Sequence, residues 1–132
     1  MSHGSGRNIG FINSNYREMI KRPNILVVCG KNKRRSRTAE CIFKNDNRIN
    51  IRSAGLSPKS DRKISEKDLN WADLIFVMEQ EHRSRIHDVY NNVPIPPIEI
   101  LNIEDDYEFM DIELIELLQD RINEALNRIC AL

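Results

Sequence analysis

A single cysteine is followed by a dense group of basic residues in the stretch ILVVCGKNKRRSRTAE, residues 25–40. Cys29 comes directly after four apolar residues, and five lysines and arginines lie within the next eight positions. Positive charge around a cysteine favours the ionised thiolate, which is the nucleophilic form of this side chain. The pattern therefore predicts a nucleophilic cysteine that acts on an anionic substrate.

Arg35 and Ser36 suggest what that anion is. Arg35 follows Cys29 by six positions, and its planar guanidinium can hold two phosphate oxygens at once. The hydroxyl of Ser36 could hydrogen-bond the thiolate. A loop that leads into a helix also presents backbone N–H groups to an anion, and we expect Gly30 to permit a tight turn at its start. Together these residues predict a phosphate-binding loop.

The segments on either side of this loop read as a strand and a helix. NILVVC is a short apolar, β-branched run typical of a buried strand. SRTAECIFK reads as a helix, with Ser36 as a candidate N-cap and with Ala39, Ile42 and Phe43 directed inward. The loop would thus follow the carboxyl end of a strand, where open parallel sheets bind their ligands.

The rest of the chain alternates in the same way. Further strands are expected in RINIRSAG, DLIFVM and the end of VPIPPIEILNI, and further helices in ISEKDLNWA, EQEHRSRIHDVY and MDIELIELLQDRINEALNRI. In the last helix Ile112, Ile115, Leu118, Ile122, Ala125 and Ile129 form one predicted apolar stripe. This order predicts a single three-layer α/β/α domain with a central four-stranded parallel sheet and the phosphate loop after strand 1. We expect residues 23–132 to form the catalytic domain and residues 1–22 an N-terminal extension with a short helix in SNYREMIKR.

Composition narrows the remaining classes of protein. Charge sums to zero over 132 residues, yet residues 1–37 hold nine basic side chains against one acid, and residues 99–124 hold ten acids against one base. No apolar run approaches the roughly 20 residues of a membrane helix. The three cysteines are odd in number and lack paired metal spacing, which argues against disulfides and zinc and favours the cytoplasm.

The stretch VVCGKNKRRSRTAE resembles the phosphate loop of the low-molecular-weight protein tyrosine phosphatases, in which Cys-x5-Arg-Ser/Thr joins the first strand to the first helix. IRSAG and WADLIFVMEQEHRSRI resemble later segments of that family, in the same order. The resemblance implies that Cys29 is the nucleophile, that Arg35 is catalytic, and that no metal or other cofactor is needed. It also implies a set of phosphate-binding residues: Gly30, Lys31, Asn32, Lys33, Arg34, Arg35 and Ser36.

The same resemblance implies an aspartate on a late loop that protonates the leaving group. The matching stretch is NIEDDYEFMD, where Asp105 takes the position of the acid and Asp106 replaces the proline that usually follows. Either carboxylate could donate the proton. Tyr107 could form a wall of the pocket or could simply pack.

Lys33 and Arg34 depart from the family, which usually has an apolar residue and a second cysteine there. They could steer a polyanionic substrate, such as an acidic phosphopeptide or a nucleic-acid phosphate, could favour the thiolate of Cys29 further, or could be ordinary surface charges. The expected function is a cysteine-dependent phosphatase that hydrolyses a phosphate monoester through a cysteinyl phosphate, with protein phosphotyrosine as the favoured substrate. The alternatives are a phosphatase or binding module for a more anionic ligand and, with less support, an arsenate reductase, which would need further cysteines near residues 80–95.

Other residues that could carry chemistry are expected to be structural. Cys41, Trp71 and Phe76 are predicted to lie in the core. His82 and His87 are expected to be surface or packing residues because their spacing of five does not place them on one helix face.

Overall fold

The chain alternates strands and helices in a computed structural model, which describes residues 22–132. The strands are β1 (Asn24–Cys29), β2 (Asn50–Gly55), β3 (Leu74–Val77) and β4 (Ile98–Ile100). The helices are α1 (Arg35–Phe43), α2 (Glu66–Trp71), α3 (Gln80–Val89) and α4 (Ile112–Cys130). The predicted extension, apart from Arg22, and its short helix lie outside the described residues.

The four strands form one parallel sheet in the order β2-β1-β3-β4. β1 is central, with Val28 paired to Ala54 on one side and to Val77 on the other. Because all four strands run the same way, their carboxyl ends share one edge of the sheet. Cys29, the last residue of β1, lies in the middle of that edge.

Alternating side chains of the central strands face two separate hydrophobic layers. Ile25, Val27 and Cys29 point to a layer completed by α1 and α4. Leu26 and Val28 point to a layer completed by α2 and α3. The predicted three-layer α/β/α architecture is therefore confirmed, and the helices on both faces explain why β1 and β3 are continuously apolar.

Three details of the predicted packing are wrong. Cys41 is exposed, because the buried residues of α1 are Arg35, Ser36, Thr38, Ala39 and Phe43 and Cys41 lies outside that face. Ile112 is 74% exposed, because it begins α4 directly after its capping residue Asp111, before the buried face starts at Leu114. Trp71 is half-buried: it packs against the layer that α2 and α3 complete, and Cζ of Arg52 lies 4.0 Å from its ring centroid. Phe76 is fully buried, as predicted.

The N-termini of two helices are capped differently. In α2 Ser65 and Asp68 form the capping box that their spacing suggests, with the Ser65 N–H donating to the Asp68 carboxylate at 3.0 Å. Ser36 is not the N-cap of α1, because the helix begins at Arg35 and Ser36 is fully buried in its first turn. The Ser36 hydroxyl is thus available for the loop rather than for the helix backbone. Among the described residues, no helix has the length and apolarity that crossing a membrane would require.

Candidate active site

Three buried residues connect the two ends of the predicted phosphate loop, residues 29–36. Cys29 closes β1, and its Sγ lies 3.0 Å from the hydroxyl oxygen of Ser36 in α1. That same oxygen accepts a hydrogen bond of 2.8 Å from Nδ2 of Asn32. Because an amide nitrogen can only donate, the proton of the Ser36 hydroxyl is free to point at sulfur. The chain Asn32–Ser36–Cys29 is therefore arranged to stabilise negative charge on the thiol.

Asn32 adopts a backbone conformation that turns the loop. Its φ is 54°, in the left-handed region that asparagine tolerates better than most residues. Its side chain is buried, with 2% exposed. Asn32 thus combines the turn of the loop with the hydrogen bond to Ser36.

Gly55 is the glycine on which the loop depends, and the expectation for Gly30 is wrong. Gly30 has no positive φ, and a Cβ built on it would meet nothing within 4 Å. A Cβ on Gly55 would lie 2.1 Å from Oγ of Ser60 and 2.7 Å from the backbone nitrogen of Asn32. The close approach therefore occurs where β2 passes the phosphate loop, which gives the SAG ending of that strand a physical reason.

The guanidinium of Arg35 joins three segments of the site. It is only 4% exposed. Its Nη1 donates to Oε2 of Glu79 at 2.5 Å and to the carbonyl of Ile103 at 2.7 Å. Its Nε lies 3.6 Å from Oδ1 of Asp105. The start of α1, the end of β3 and the loop after β4 therefore meet at this side chain.

Glu79 and His82 are members of the site that sequence reasoning missed. The backbone N–H of Glu79 donates to Nδ1 of His82 at 3.2 Å, which holds the residue that pairs with Arg35. Burial, and after it the nearby positive charge of Arg35, lower the pKa of His82 and so favour its neutral ring. The available signal was position, because Glu79 comes two residues after β3, at the sheet edge that carries Cys29.

The acid loop, residues 101–111, is held in place from two sides. Arg121 on α4 donates to the carbonyls of Leu101 and Asn102 at 2.7 and 2.6 Å. The backbone N–H of Met110 donates to the hydroxyl of Thr38 on α1 at 2.9 Å. The loop is thus tied to both helices of one face of the sheet.

The two candidate acids differ in their surroundings. Asp105 lies beside Arg35, and its side chain is 60% exposed. Asp106 is exposed and has no hydrogen bond or ion pair with the residues that the structure describes. Tyr107 is half-buried and packs against the layer that α1 and α4 complete. The structure therefore brings only Asp105 to the arginine.

The predicted phosphate-binding residues separate into buried and exposed side chains. Asn32, Arg35 and Ser36 are buried and hydrogen-bonded within the site. Lys31, Lys33 and Arg34 are exposed. Within residues 22–132, none of these three cations forms an ion pair. Nor do those residues contain a group of three or more histidine, cysteine, aspartate or glutamate side chains that could hold a metal ion.

Solved structures similar to this chain include several phosphatases. A low-molecular-weight protein tyrosine phosphatase from Streptococcus pyogenes superposes with a TM-score of 0.68 at 18% identity, over 81% of this chain and 93% of that one. The tyrosine phosphatase Wzb from Escherichia coli K30, solved with phosphate, gives 0.61 at 18% identity, over 82% and 99%. The arginine phosphatase YwlE from Geobacillus stearothermophilus gives 0.60 at 21% identity, over 80% and 94%.

These similarities show the fold. The chain has the α/β fold of low-molecular-weight protein tyrosine phosphatases, as the resemblance of its loop implied. No protein-family model matches the sequence, and no curated protein matches it either.

Proposed function

We propose that this chain is a cysteine-dependent phosphatase that hydrolyses a phosphate monoester through a cysteinyl-phosphate intermediate. The observation that carries the proposal is the convergence of Cys29, Ser36, Arg35 and Asp105 at one end of the sheet. Sulfur and hydroxyl are 3.0 Å apart, and the buried guanidinium and the exposed carboxylate are 3.6 Å apart. A nucleophile, an anion clamp and an acid are the three parts that such a reaction needs.

In the first step the thiolate of Cys29 attacks phosphorus. A sulfur–phosphorus bond forms and the bond from phosphorus to the leaving oxygen breaks. Arg35 and the loop amides hold the non-bridging oxygens, whose charge the start of α1 also stabilises. Nη1 of Arg35 is already fixed by Glu79 and Ile103, while Nη2 has no hydrogen bond to the described residues and is free for phosphate.

Asp105 supplies the proton to the leaving oxygen. Its carboxyl is exposed enough to reach a substrate oxygen and stands against the arginine that would hold the phosphate. After the leaving group departs, the same carboxylate accepts a proton from the water that attacks phosphorus. The thiolate is then released together with inorganic phosphate. The contact with Arg35 favours Asp105 over Asp106 for this role.

Protein phosphotyrosine is the substrate that we propose. Two of the similar structures described above are tyrosine phosphatases and the third is an arginine phosphatase. A second candidate, a phosphatase or binding module for a nucleic-acid phosphate, is favoured by the exposed cations Lys31, Lys33 and Arg34. No metal or other cofactor takes part in the proposed steps. The nucleophile must stay reduced, which favours a reducing compartment such as the cytoplasm.

An arsenate reductase has less support. Such an enzyme would need at least one further cysteine near Cys29 to form a disulfide and relay it. Cys41 is the nearest cysteine in sequence, but it is exposed and lies six positions beyond Arg35 in α1, about 9 Å along the helix. Cys130 is the last residue of α4, the helix that leads away from the acid loop.

Hydrolysis of two aryl phosphates in the presence of a metal chelator tests the proposal. The parent chain should hydrolyse both p-nitrophenyl phosphate and phenyl phosphate. Because nitrophenolate leaves without help and phenolate does not, Asp105→Asn should reduce turnover of phenyl phosphate much more strongly. Asp106→Asn is the matched control and should affect both substrates alike. A parent chain that hydrolyses neither compound would contradict the proposed function.

A further inference from the structure

The loops at the carboxyl edge of the sheet are ordered by charge. Across the sheet, the loop after β2 (residues 56–64) comes first, then the phosphate loop, then Glu79 and the acid loop. The first two loops carry an excess of lysine and arginine, whereas the acid loop carries only acidic charged residues. The two sides of Cys29 therefore present opposite charge.

The loop after β2 is bound directly to the phosphate loop. The backbone N–H groups of Leu56 and Ser57 donate to the carbonyls of Cys29 and Gly30 at 3.0 and 2.8 Å. Oγ of Ser60 donates to the same Gly30 carbonyl at 3.3 Å. These contacts place the lysines of residues 56–64 on the rim of the site rather than on a remote surface.

Five cations on this side have no acidic partner within residues 22–132. We call them the basic rim: Lys31, Lys33, Arg34, Lys59 and Lys63, all exposed. The neighbouring Arg62 and Arg37 differ, since they pair with Asp68 at 2.6 Å and with Asp61 at 3.4 Å. Local ion pairs among residues 22–132 therefore do not neutralise the basic rim, and its positive charge is available to an anionic ligand.

The opposite side carries negative charge. Within the acid loop four carboxylates are exposed, and among residues 22–132 only that of Asp105 forms an ion pair, with Arg35. The exposed residues are Glu104, Asp105, Asp106 and Glu108. A uniform polyanion that extends across the site in both directions would be attracted by the basic rim and repelled by the acid loop.

We infer that the preferred substrate is a phosphopeptide segment that is acidic on one side of the phosphorylated residue and neutral or basic on the other. This inference rests on the proposed function and specifies its substrate class. The acidic flank lies along the basic rim, and the other flank lies along the acid loop. A nucleic-acid strand fits less well, because its phosphates continue on both sides of the reacting group.

Binding to the Cys29→Ser chain tests the inference without turnover. The probes are phosphotyrosine peptides of equal length: one neutral, one with acids before the phosphotyrosine, one with acids after it, and one with acids on both sides. One of the two singly acidic peptides should bind about five- to tenfold more tightly than the neutral one at low salt. Acids on both sides should add nothing further, and added salt should remove the preference.

Charge reversal of one rim lysine supplies the matched control. Lys59→Glu should abolish the preference for the acidic peptide, whereas Lys44→Glu, the same change just beyond the far end of α1, should leave it intact. Equal affinity for neutral and acidic peptides, equal effects of the two reversals, or tighter binding of a 5′-phosphorylated oligonucleotide would overturn the inference.

Turnover by the parent chain keeps the two claims separate. Hydrolysis of all the peptides without any binding preference would leave the phosphatase proposal standing and remove only the inference. The expected order of affinities without hydrolysis of any peptide would support the binding surface and contradict the phosphatase.

Discussion

Glu79 fixes the orientation of Arg35 through an ion pair in which Nη1 and Oε2 are 2.5 Å apart. The pair links the residue that follows Met78, at the end of β3, to the first residue of α1. Arg35 is almost wholly buried, so its guanidinium depends on this carboxylate and on the Ile103 carbonyl for its position. A phosphate that enters the loop would meet a guanidinium that is already oriented.

Removal of the charge on Glu79 should therefore weaken phosphate binding. In Glu79→Gln the hydrogen bond loses its ionic character, and we expect kcat/KM for p-nitrophenyl phosphate to fall about 10- to 100-fold. The affinity for inorganic phosphate as a competitive inhibitor should fall with it, because Arg35 is misplaced in the free enzyme. Glu81→Gln, two positions further on in the first turn of α3 and exposed, is the control. Unchanged inhibition by phosphate in Glu79→Gln would refute this positioning role.

Ser36→Ala should make Cys29 less reactive. The variant removes the hydroxyl 3.0 Å from sulfur and leaves Nδ2 of Asn32 without its acceptor. A hydrogen bond to a charged group contributes about 1.5–3 kcal/mol, so alkylation of Cys29 at neutral pH should slow about tenfold or more. Mass spectrometry of the peptide that holds Cys29 separates this reaction from alkylation of the exposed Cys41. Ser84→Ala, on the exposed face of α3, is the control, and its Cys29 should be alkylated at the parent rate.

Gly55→Ala and Gly30→Ala should behave very differently. The methyl group at position 55 would collide with Ser60 and with the backbone of Asn32, whereas at position 30 it has open space. We expect Gly55→Ala to lower the free energy of unfolding by about 1–3 kcal/mol, as overpacking typically does, and to disturb the loop. Gly30→Ala should leave stability unchanged. Urea unfolding measures both, and equal stability of the two variants would show that the close approach is not a constraint.

His82 should make stability depend on pH below neutrality. Burial, with a further contribution from Arg35, holds its pKa below the ordinary value of 6.5. As pH falls through 6.5, His82 binds a proton in the unfolded chain before it does so in the folded chain. The free energy of unfolding therefore decreases.

The comparison that isolates this effect is His82→Asn, which can still accept a hydrogen bond from the Glu79 N–H. Between pH 6.5 and 5 the parent should lose stability faster than the variant, by up to about 1.4 kcal/mol per pH unit. His87→Asn, which changes an exposed ring, should follow the parent. Parallel pH profiles for the parent and His82→Asn would count against a neutral buried ring.

Sequence patterns predicted the layers of this fold better than the details of its site. The apolar runs of β1 and β3 determine a sheet covered on both faces, and the Cys29–Arg35 spacing locates the loop between β1 and α1. Position alone did not reveal Glu79, since a glutamate after a strand is common and its partner lies 44 residues away in sequence. The proximity of Gly30 to Cys29 is visible in the sequence, whereas the approach of Gly55 in β2 to Asn32 exists only in three dimensions.

The most direct test of the account is the hydrolysis of p-nitrophenyl phosphate by Cys29→Ser and Cys41→Ser, measured beside the parent chain with a metal chelator present. Both variants exchange one thiol for a hydroxyl, one in the loop and one on the exposed face of α1. A nucleophilic role for Cys29 predicts that turnover disappears in Cys29→Ser and persists in Cys41→Ser. Turnover that survives in Cys29→Ser at the parent rate would contradict it, because no other residue of the proposed mechanism can form the covalent intermediate.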